Sequence, residues 1–565
     1  MKNSPHSLHN LAARIEFYGL VLFLVSVGGT NVMAQQEWDK DGGIPDAQVE
    51  IIKDRQIKLP AADRNFDKVP PRPVEPIKPE ITYDFKNIRF NTPDYNPSIR
   101  PLKLKQEDIS RIYGNYLSTG FGNFASPYLE ASFNSKRDKN KFYGAHFYHH
   151  SFGKGPVDDK NSASGSTQIN LYGKLFNRSV ASGGFLNYEN QTAYFYGYVP
   201  NPETARDTIK QSYNIVSLGG EIGNSKPSDF NYLLKGGFSY LTDNYKAAES
   251  EVSLNFRSSY SFSKSRKFIL TADYFLIARE DVKIDANPRN LFKVKPAFQF
   301  SPMENLNLTI GANVAFENDT LGTSKSVHVY PNIIADYSLT KSITAYGIAT
   351  GDIDKVSLHT LSQENRWVNS NINIFNTNRS IELLLGLKGK LGRKVGFETG
   401  VAATKLNGLY FYQNSILDRA KFDVIYDGGN TKRANLFAVL GYSNAETVKF
   451  MLRGDYFKYT TDKLAEAFHR PTYKVTFNSA YNAYGKLLFN LDFIGQGGML
   501  AFDQSVSKTV EIKPALDLNF KTDYFLSKQA SVFLKLNNLL SNDYQVYLNY
   551  PVRGFQAMGG VTLTF

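Results

Sequence analysis

Hydrophobic and polar residues alternate with a period of two along most of the chain from about Arg111 to Phe565. In the stretch ALDLNFKTDY (515–524), every second residue from Leu516 to Tyr524 lies on one side of an extended strand. The other side carries four polar residues, Asp517, Asn519, Lys521 and Asp523. A period of two predicts β-strands, whereas a helix would repeat every 3.6 residues.

The same pattern recurs in KFMLRGDYFK (449–458), IELLLGLKGKL (381–391) and VFLKLNN (532–538). A continuous polar row would be costly inside an apolar core, but it costs little when it faces a water-filled lumen. The candidate lumen-lining residues are therefore Arg453, Asp455, Asp517, Asn519, Lys521, Asp523 and Lys535. They would line a pore or dock a plug, or they would form a mutually satisfied polar interior with no role in transport.

Short and long connections separate the strands, as periplasmic turns and extracellular loops do in outer-membrane barrels. The short ones include 263–267, 301–305 and 392–394, and the longer polar ones include 153–165, 200–208, 281–289 and 359–378. The spacing predicts an all-β transmembrane antiparallel β-barrel of about 22 strands, within a range of roughly 18–24, over residues 105–565. A soluble sandwich also alternates, but one unbroken run of so many strands favours the barrel.

The chain closes on GFQAMGGVTLTF (554–565), in which Val561, Leu563 and Phe565 lie on one side of a predicted strand. Chain ends usually fray into polar residues, whereas the last strand of a closed barrel must pair with the first. An aromatic residue at its end is typical of the girdle at a membrane interface. We interpret these three residues as the barrel signal that the assembly machinery of the outer membrane would bind.

The first 104 residues differ from the rest. An apolar run of 13 residues, Phe17 to Gly29, precedes small residues at Val32 and Ala34, which predicts a signal peptide over 1–34 and export. An N-terminal anchor is the alternative, although a spanning helix needs about 20 residues. Residues 35–104 are rich in proline and predict an extended segment, which would be a periplasmic tail or would enter or cap the lumen.

Composition narrows the functional classes. There are no cysteines, so disulfides, thiolate metal sites and cysteine nucleophiles are excluded. The net charge is +12, but the basic residues are interspersed with acidic ones, which argues against a nucleic-acid partner.

His146 and His150 would lie about 13 Å apart on a strand, too far for one metal ion. No nucleophile-elbow motif is present, so we expect neither an enzyme nor a cofactor.

The C-terminal 35 residues resemble the end of TonB-dependent receptors. The matching residues are Asn538, Leu539 and Leu540, then Tyr550, Pro551 and Gly554, and finally Phe565. The stretch from Gly114 to Ser151 is similar to the first hairpins of such barrels. The resemblance implies an outer-membrane barrel. Receptors of that family carry a folded plug before the barrel, and no plug is recognisable in residues 35–104.

Two functions follow as hypotheses. The first is a receptor-like channel or transport component for an unidentified solute, located in the outer membrane and surrounded by its lipid. The second is a structural or assembly barrel with a blocked lumen that holds a periplasmic or surface partner protein. A permeable lumen would favour the first, and a stable partner with an impermeable barrel would favour the second.

Overall fold

The computed structural model describes residues 113–565, except residues 137, 200–203, 320–325 and 446. The predicted signal peptide (1–34) and the proline-rich segment (35–104) lie outside the described residues. Among the described residues, no helix has the length and apolar character needed to cross a membrane.

Twenty-two of the 26 described strands form a single antiparallel sheet. The strands of this sheet and the four strands of two separate hairpins, β16–β17 and β22–β23, have these bounds: β1 Asn115–Gly122, β2 Ser126–Asn134, β3 Lys141–Phe152, β4 Ser164–Phe176, β5 Val180–Tyr194, β6 Lys210–Asn224, β7 Phe230–Thr242, β8 Ala248–Ser263, β9 Arg266–Glu280, β10 Asp285–Met303, β11 Leu306–Glu317, β12 Val327–Ser338, β13 Ile343–Asp354, β14 Thr377–Leu391, β15 Val395–Asn407, β16 Tyr410–Asn414, β17 Phe422–Tyr426, β18 Asn430–Asn444, β19 Val448–Thr460, β20 Tyr473–Ala483, β21 Leu487–Gly497, β22 Met499–Asp503, β23 Lys508–Ile512, β24 Ala515–Phe525, β25 Ala530–Asn537 and β26 Gln556–Thr564. A short helix, α1, spans Leu358–Glu364.

The sheet closes on itself because β26 pairs with both β25 and β1. Leu563 lies opposite Leu117 in this closing pair, and the backbone groups of Phe565 and Asn115 exchange hydrogen bonds of 3.1 Å. The barrel therefore has no free sheet edge. The predicted fold class and the predicted number of strands are both confirmed.

The two ends of the barrel differ in their connections. At one end, turns such as 264–265, 304–305 and 392–394 join the strands. At the other end lie the long connections, including 355–376, 408–429 and 538–555. The predicted connection 281–289 is shorter than expected, because β10 already begins at Asp285. We call the two ends the short-turn end and the long-loop end.

The two faces of the barrel wall differ as the alternation predicts. On β14, Ile381, Leu383, Leu385 and Leu387 are exposed on the outer face, and Leu385 is 67% exposed. Between them Glu382 faces inward and binds Arg379 and Arg433. An apolar outer surface with ion pairs inside is the arrangement of a barrel that is embedded in lipid.

We expect Gly560→Ala to impair closure of the barrel. A Cβ at Gly560 would lie 2.3 Å from both the Phe533 ring and the backbone oxygen of Thr119, because the Phe533 ring packs across β26. Overpacking of this kind costs about 1–3 kcal/mol. The folded fraction, followed by gel mobility before and after heating, should fall. Gly559→Ala is the matched control, since its Cβ would meet no atom closer than 4.0 Å. Equal folding of the two variants would contradict this account.

Candidate functional site

The long connections fold inward and meet one another across the barrel mouth. We define the loop cap as residues 153–163, 195–199, 204–209, 355–376, 408–429, 461–472 and 538–555. Three of its connections, those after β5, β13 and β25, are separated around the 22-strand ring by eight, eight and six strands. Contacts between these three connections therefore cross the lumen.

Trp367 contacts residues of both other connections, as Tyr550 also does. Its ring centroid lies 4.0 Å from that of Tyr550, 5.7 Å from that of Tyr196 and 6.0 Å from that of Tyr547. The indole Nε1–H donates a hydrogen bond of 2.9 Å to the backbone oxygen of Tyr194. Clustered aromatic rings add stability beyond the area that they bury. The cap consequently has a packed aromatic core, which is unusual for exposed loops.

Charged side chains of the barrel wall hold the central connection, 355–376. Glu249 on β8 accepts hydrogen bonds from the backbone N–H groups of Leu358 and His359, at 2.7 and 3.0 Å. Arg279 on β9 donates to the backbone oxygen of Ile372 at 2.7 Å. Both wall residues are buried. Charge-assisted hydrogen bonds are stronger than neutral ones, so these bonds fix the connection against the inner wall.

A second polar network joins α1 to the other connections. Glu364, the last residue of α1, forms an ion pair of 2.8 Å with Arg470 and accepts a hydrogen bond from the Tyr410 hydroxyl. The Tyr547 hydroxyl donates to the backbone oxygen of Glu364 at 2.9 Å. Arg470 also donates to the backbone oxygen of Tyr410 at 2.9 Å. Four parts of the cap are thus linked through one carboxylate and its backbone.

His469 lies buried between three parts of the cap. Its Nδ1 lies 2.9 Å from the backbone oxygen of Tyr412, and its Nε2 lies 3.3 Å from the backbone nitrogen of Leu548. The first contact requires Nδ1 to carry the proton, and the second requires Nε2 to be an acceptor. Burial lowers the pKa of His469 to about 4, so the ring is neutral at physiological pH.

A pocket of about 460 Å³ lies between the cap and the ends of β4, β5 and β26. Its lining combines aromatic residues, among them Tyr196, Trp367 and Tyr547, with Arg366 and Arg553. Burial, helped by the positive charge of Arg366, lowers the pKa of Arg553 to about 10. Both guanidinium groups remain charged at neutral pH.

The sequence-predicted lumen residues lie on the inward face of β19, β24 and β25. Two pairs bind each other: Arg453 bonds both carboxylate oxygens of Asp455 at 2.7 and 2.8 Å, and Lys521 lies 3.0 Å from Asp523. Lys535 and Lys521 line a separate inward recess of about 500 Å³. Whether these residues take part in transport stays a prediction.

Two other predicted residues contact the cap. Asp517 accepts a hydrogen bond of 3.0 Å from the Tyr544 hydroxyl, and the side chain of Asn519 accepts one of 3.0 Å from the backbone N–H of Asn538. Val561 and Leu563 are exposed on the outer face, and Phe565 lies at the short-turn end beside Phe133, with ring centroids 6.4 Å apart. A role for these last residues in barrel assembly stays a prediction.

The three neighbouring histidines bind separate partners in the wall. His146 lies 3.2 Å from Glu130, His150 lies 3.0 Å from Ser126, and His149 contacts Thr167 at 2.9 Å. Among the described residues, no group of three or more His, Cys, Asp or Glu side chains is arranged to hold a metal ion.

The sequence did not predict the cap, and Asn538 and Tyr550 were singled out only for their resemblance to a family motif. The connection 359–378 looks polar, yet Val368, Ile372 and Ile374 are buried in it. Apolar and aromatic residues inside a long connection are the signal that could have pointed to inward folding, because an exposed loop gains nothing from them.

No protein-family model matches this sequence, and no curated protein is significantly similar to it. Several solved structures are similar in fold. The FrpB iron transporter from Neisseria meningitidis is 11% identical with a TM-score of 0.63, and the match covers 81% of this chain and 82% of that one. The ferric-catecholate import receptor Fiu from E. coli K12 is 9% identical with a TM-score of 0.60, over 80% and 82% of the two chains.

The ferripyoverdine receptor of the outer membrane of Pseudomonas aeruginosa is 10% identical with a TM-score of 0.59, over 81% of this chain and 72% of that one. The chain therefore has the barrel fold of TonB-dependent outer-membrane receptors, which confirms the resemblance seen in its C-terminal motif. These proteins are described as a transporter and receptors, and the expectation that this barrel is not an enzyme stays a prediction. The predicted lack of a plug concerns residues outside the described part and stays a prediction.

Proposed function

We propose that this protein is a receptor-like transport barrel of the outer membrane whose loop cap closes the lumen until a solute or a partner protein displaces it. The observation that carries the proposal is the meeting of three connections at Trp367, across the mouth of a barrel with a receptor-type fold. Long loops of such barrels face the cell exterior, so the cap would control entry from that side.

The construction of the cap supports a gate that opens as a unit. Its connections bind one another through the aromatic cluster and through the Glu364–Arg470 pair. Displacement of one connection would remove partners from the others, which makes partial opening unfavourable and gives two discrete states. A solute would open the cap only by binding the open state better than the closed one.

The experiment is measurement of single-channel conductance in a planar bilayer, with the full chain and with a variant in which residues 358–374 are replaced by a Gly-Ser linker. We expect little conductance from the full chain and a large conductance from the variant. Replacement of the exposed tip 505–507 of the β22–β23 hairpin is the matched control and should leave conductance unchanged. A cap-shortened barrel that is folded but does not conduct would overturn the proposal and favour a scaffold with a blocked lumen.

A further inference from the structure

The pocket of about 460 Å³ beneath the cap is lined by two arginines, Arg366 and Arg553, and by one carboxylate, that of Glu364. In the described part of the chain, neither Arg366 nor Arg553 forms an ion pair. Arg553 donates instead to uncharged oxygens, those of Lys154 at 3.2 Å, Ser162 at 3.4 Å and the Ser164 hydroxyl at 2.7 Å. Charges withdrawn from water are usually paired, so two partly buried guanidinium groups without a carboxylate partner at one pocket suggest an anionic partner from outside the barrel.

Two carboxylates lie near these arginines, and both have other partners. Both oxygens of Glu364 are used, one by Arg470 and the other by the Tyr410 hydroxyl. Glu189 attracts Arg366 electrostatically, but its side chain accepts hydrogen bonds from Gln363, at 3.1 Å, and from Gln191. Glu364 therefore cannot turn toward the arginines without breaking these bonds, whereas Glu189 keeps one oxygen free of them and acts on Arg366 from beyond ion-pair distance.

The backbone that carries Arg366 is fixed on both sides. Asn365 is fully buried, and its side-chain oxygen accepts a hydrogen bond of 2.9 Å from the Trp367 backbone N–H. Trp367 is held by the aromatic cluster. The Arg366 side chain therefore extends toward the pocket from a backbone that is held in place.

We propose that this pocket binds a small organic anion, in which carboxylate or phosphate oxygens contact Arg366 and Arg553 and an apolar body contacts the rings of Trp367, Tyr196 and Tyr547. Guanidinium groups match the geometry of these oxyanions through paired N–H donors. The volume suits a ligand of modest size. The inference deepens the transport function proposed above and names the chemical class of its solute.

Isothermal titration calorimetry on the detergent-solubilised full chain tests the inference, with citrate and inorganic phosphate as anionic probes and glucose as the neutral probe. We expect at least one of the two anions, but not glucose, to bind in a salt-dependent manner. Arg366→Gln and Arg553→Gln should each weaken binding by about tenfold, since each removes a charge-assisted contact. Arg366→Lys keeps the charge without the paired donors and should lose less.

Arg206→Gln is the matched control. Arg206 is an exposed cap residue that bonds the backbone oxygen of Lys160 at 3.2 Å and does not line the pocket. Anion binding that survives this change and falls in the pocket variants supports the inference. No binding of either anion to the unchanged chain, or equal losses in all variants, would overturn it. The lysine variant keeps the test decisive if a glutamine variant fails to fold. Calorimetry measures binding independently of conductance. Anion binding by a barrel that never conducts would therefore refute the transport proposal and leave this inference standing.

Discussion

Trp367→Ala should open the loop cap. The substitution removes the ring that joins three connections and the hydrogen bond to the backbone oxygen of Tyr194. Loss of a fully buried tryptophan side chain costs about 3–5 kcal/mol, and the partly buried Trp367 should approach the lower end of that range. A cap assembled from a few connections has less stability to lose than a whole domain, so a change of this size should populate the open state. Single-channel recordings should then show frequent openings that are rare in the unchanged barrel.

Tyr484→Ala is the control for this prediction. Tyr484 lies in a turn at the short-turn end and is 98% exposed, so its removal takes away an aromatic ring but no cap contact. Trp367→Phe keeps part of the cluster and should have a smaller effect than alanine. If Trp367→Ala folds normally and its recordings match those of the Tyr484→Ala barrel, the aromatic core does not hold the cap closed.

The strands of the barrel wall could be predicted from the sequence because the alternation depends only on neighbouring residues. On β24, Leu516 and Tyr524 are exposed on the outer face and Asp523 is buried inside, as the alternation predicts. The period of two assigns each residue to lipid or lumen without knowledge of its partners. The closing pair of strands followed from the same rule, applied to the last residues of the chain.

The cap could not be read in this way because its contacts are not local. Trp367 packs against Tyr550, 183 residues later, and against Tyr196, 171 residues earlier. No period links these positions, and their neighbours Asn365 and Asn369 resemble an ordinary polar loop. The wall residues that hold the connection 355–376 could not be predicted either, since Glu249 differs from other inward-facing acids only in the backbone groups that it contacts.

The sequence also did not show which of the predicted lumen residues bind each other on the wall and which bind the cap. Arg453 and Asp455 are two positions apart on one strand face, so their mutual pairing follows from the alternation. Asp517 and Asn519 have the same spacing, yet they bind the connection 538–555 instead of a neighbour on the wall. The difference arises because β24 begins at Ala515, which places these two residues at the long-loop end.

Acidification to pH 5 should loosen the cap through His469. Burial lowers the folded pKa to about 4 from an ordinary value of 6.5, so between these values the closed cap binds fewer protons than the open one. The stabilisation that depends on neutral His469 is complete above pH 6.5 and falls as the pH approaches 4. One pKa unit corresponds to about 1.4 kcal/mol, so about 2 kcal/mol is lost at pH 5 and about 3 kcal/mol at pH 4.

The protonated ring would also lose the hydrogen bond from Leu548, because Nε2 could no longer accept. Burial is the main cause of the lowered pKa of His469, the hydrogen bond to the backbone oxygen of Tyr412 opposes it, and the positive charge of Arg470 adds to it. Burial raises the pKa of the Asp427 carboxylate, but hydrogen bonds from the backbone N–H groups of Asp462 and Lys463 outweigh this effect. The pKa of Asp427 is therefore lower than its ordinary value. Asp427 therefore does not account for a response of the cap at pH 5.

Conductance and limited proteolysis at pH 7.5 and pH 5 measure this response. His469→Gln keeps a donor and an acceptor but does not titrate, so its barrel should behave alike at both values. His359→Gln is the matched control within the cap, since the side chain of His359 contacts only Gln363, at 3.4 Å, among its hydrogen-bond partners in the described part of the chain. That variant should open at pH 5 as the unchanged barrel does. An acid response that persists in His469→Gln would assign the switch to another group, and the neutral imidazole at the centre of the cap would then serve packing alone.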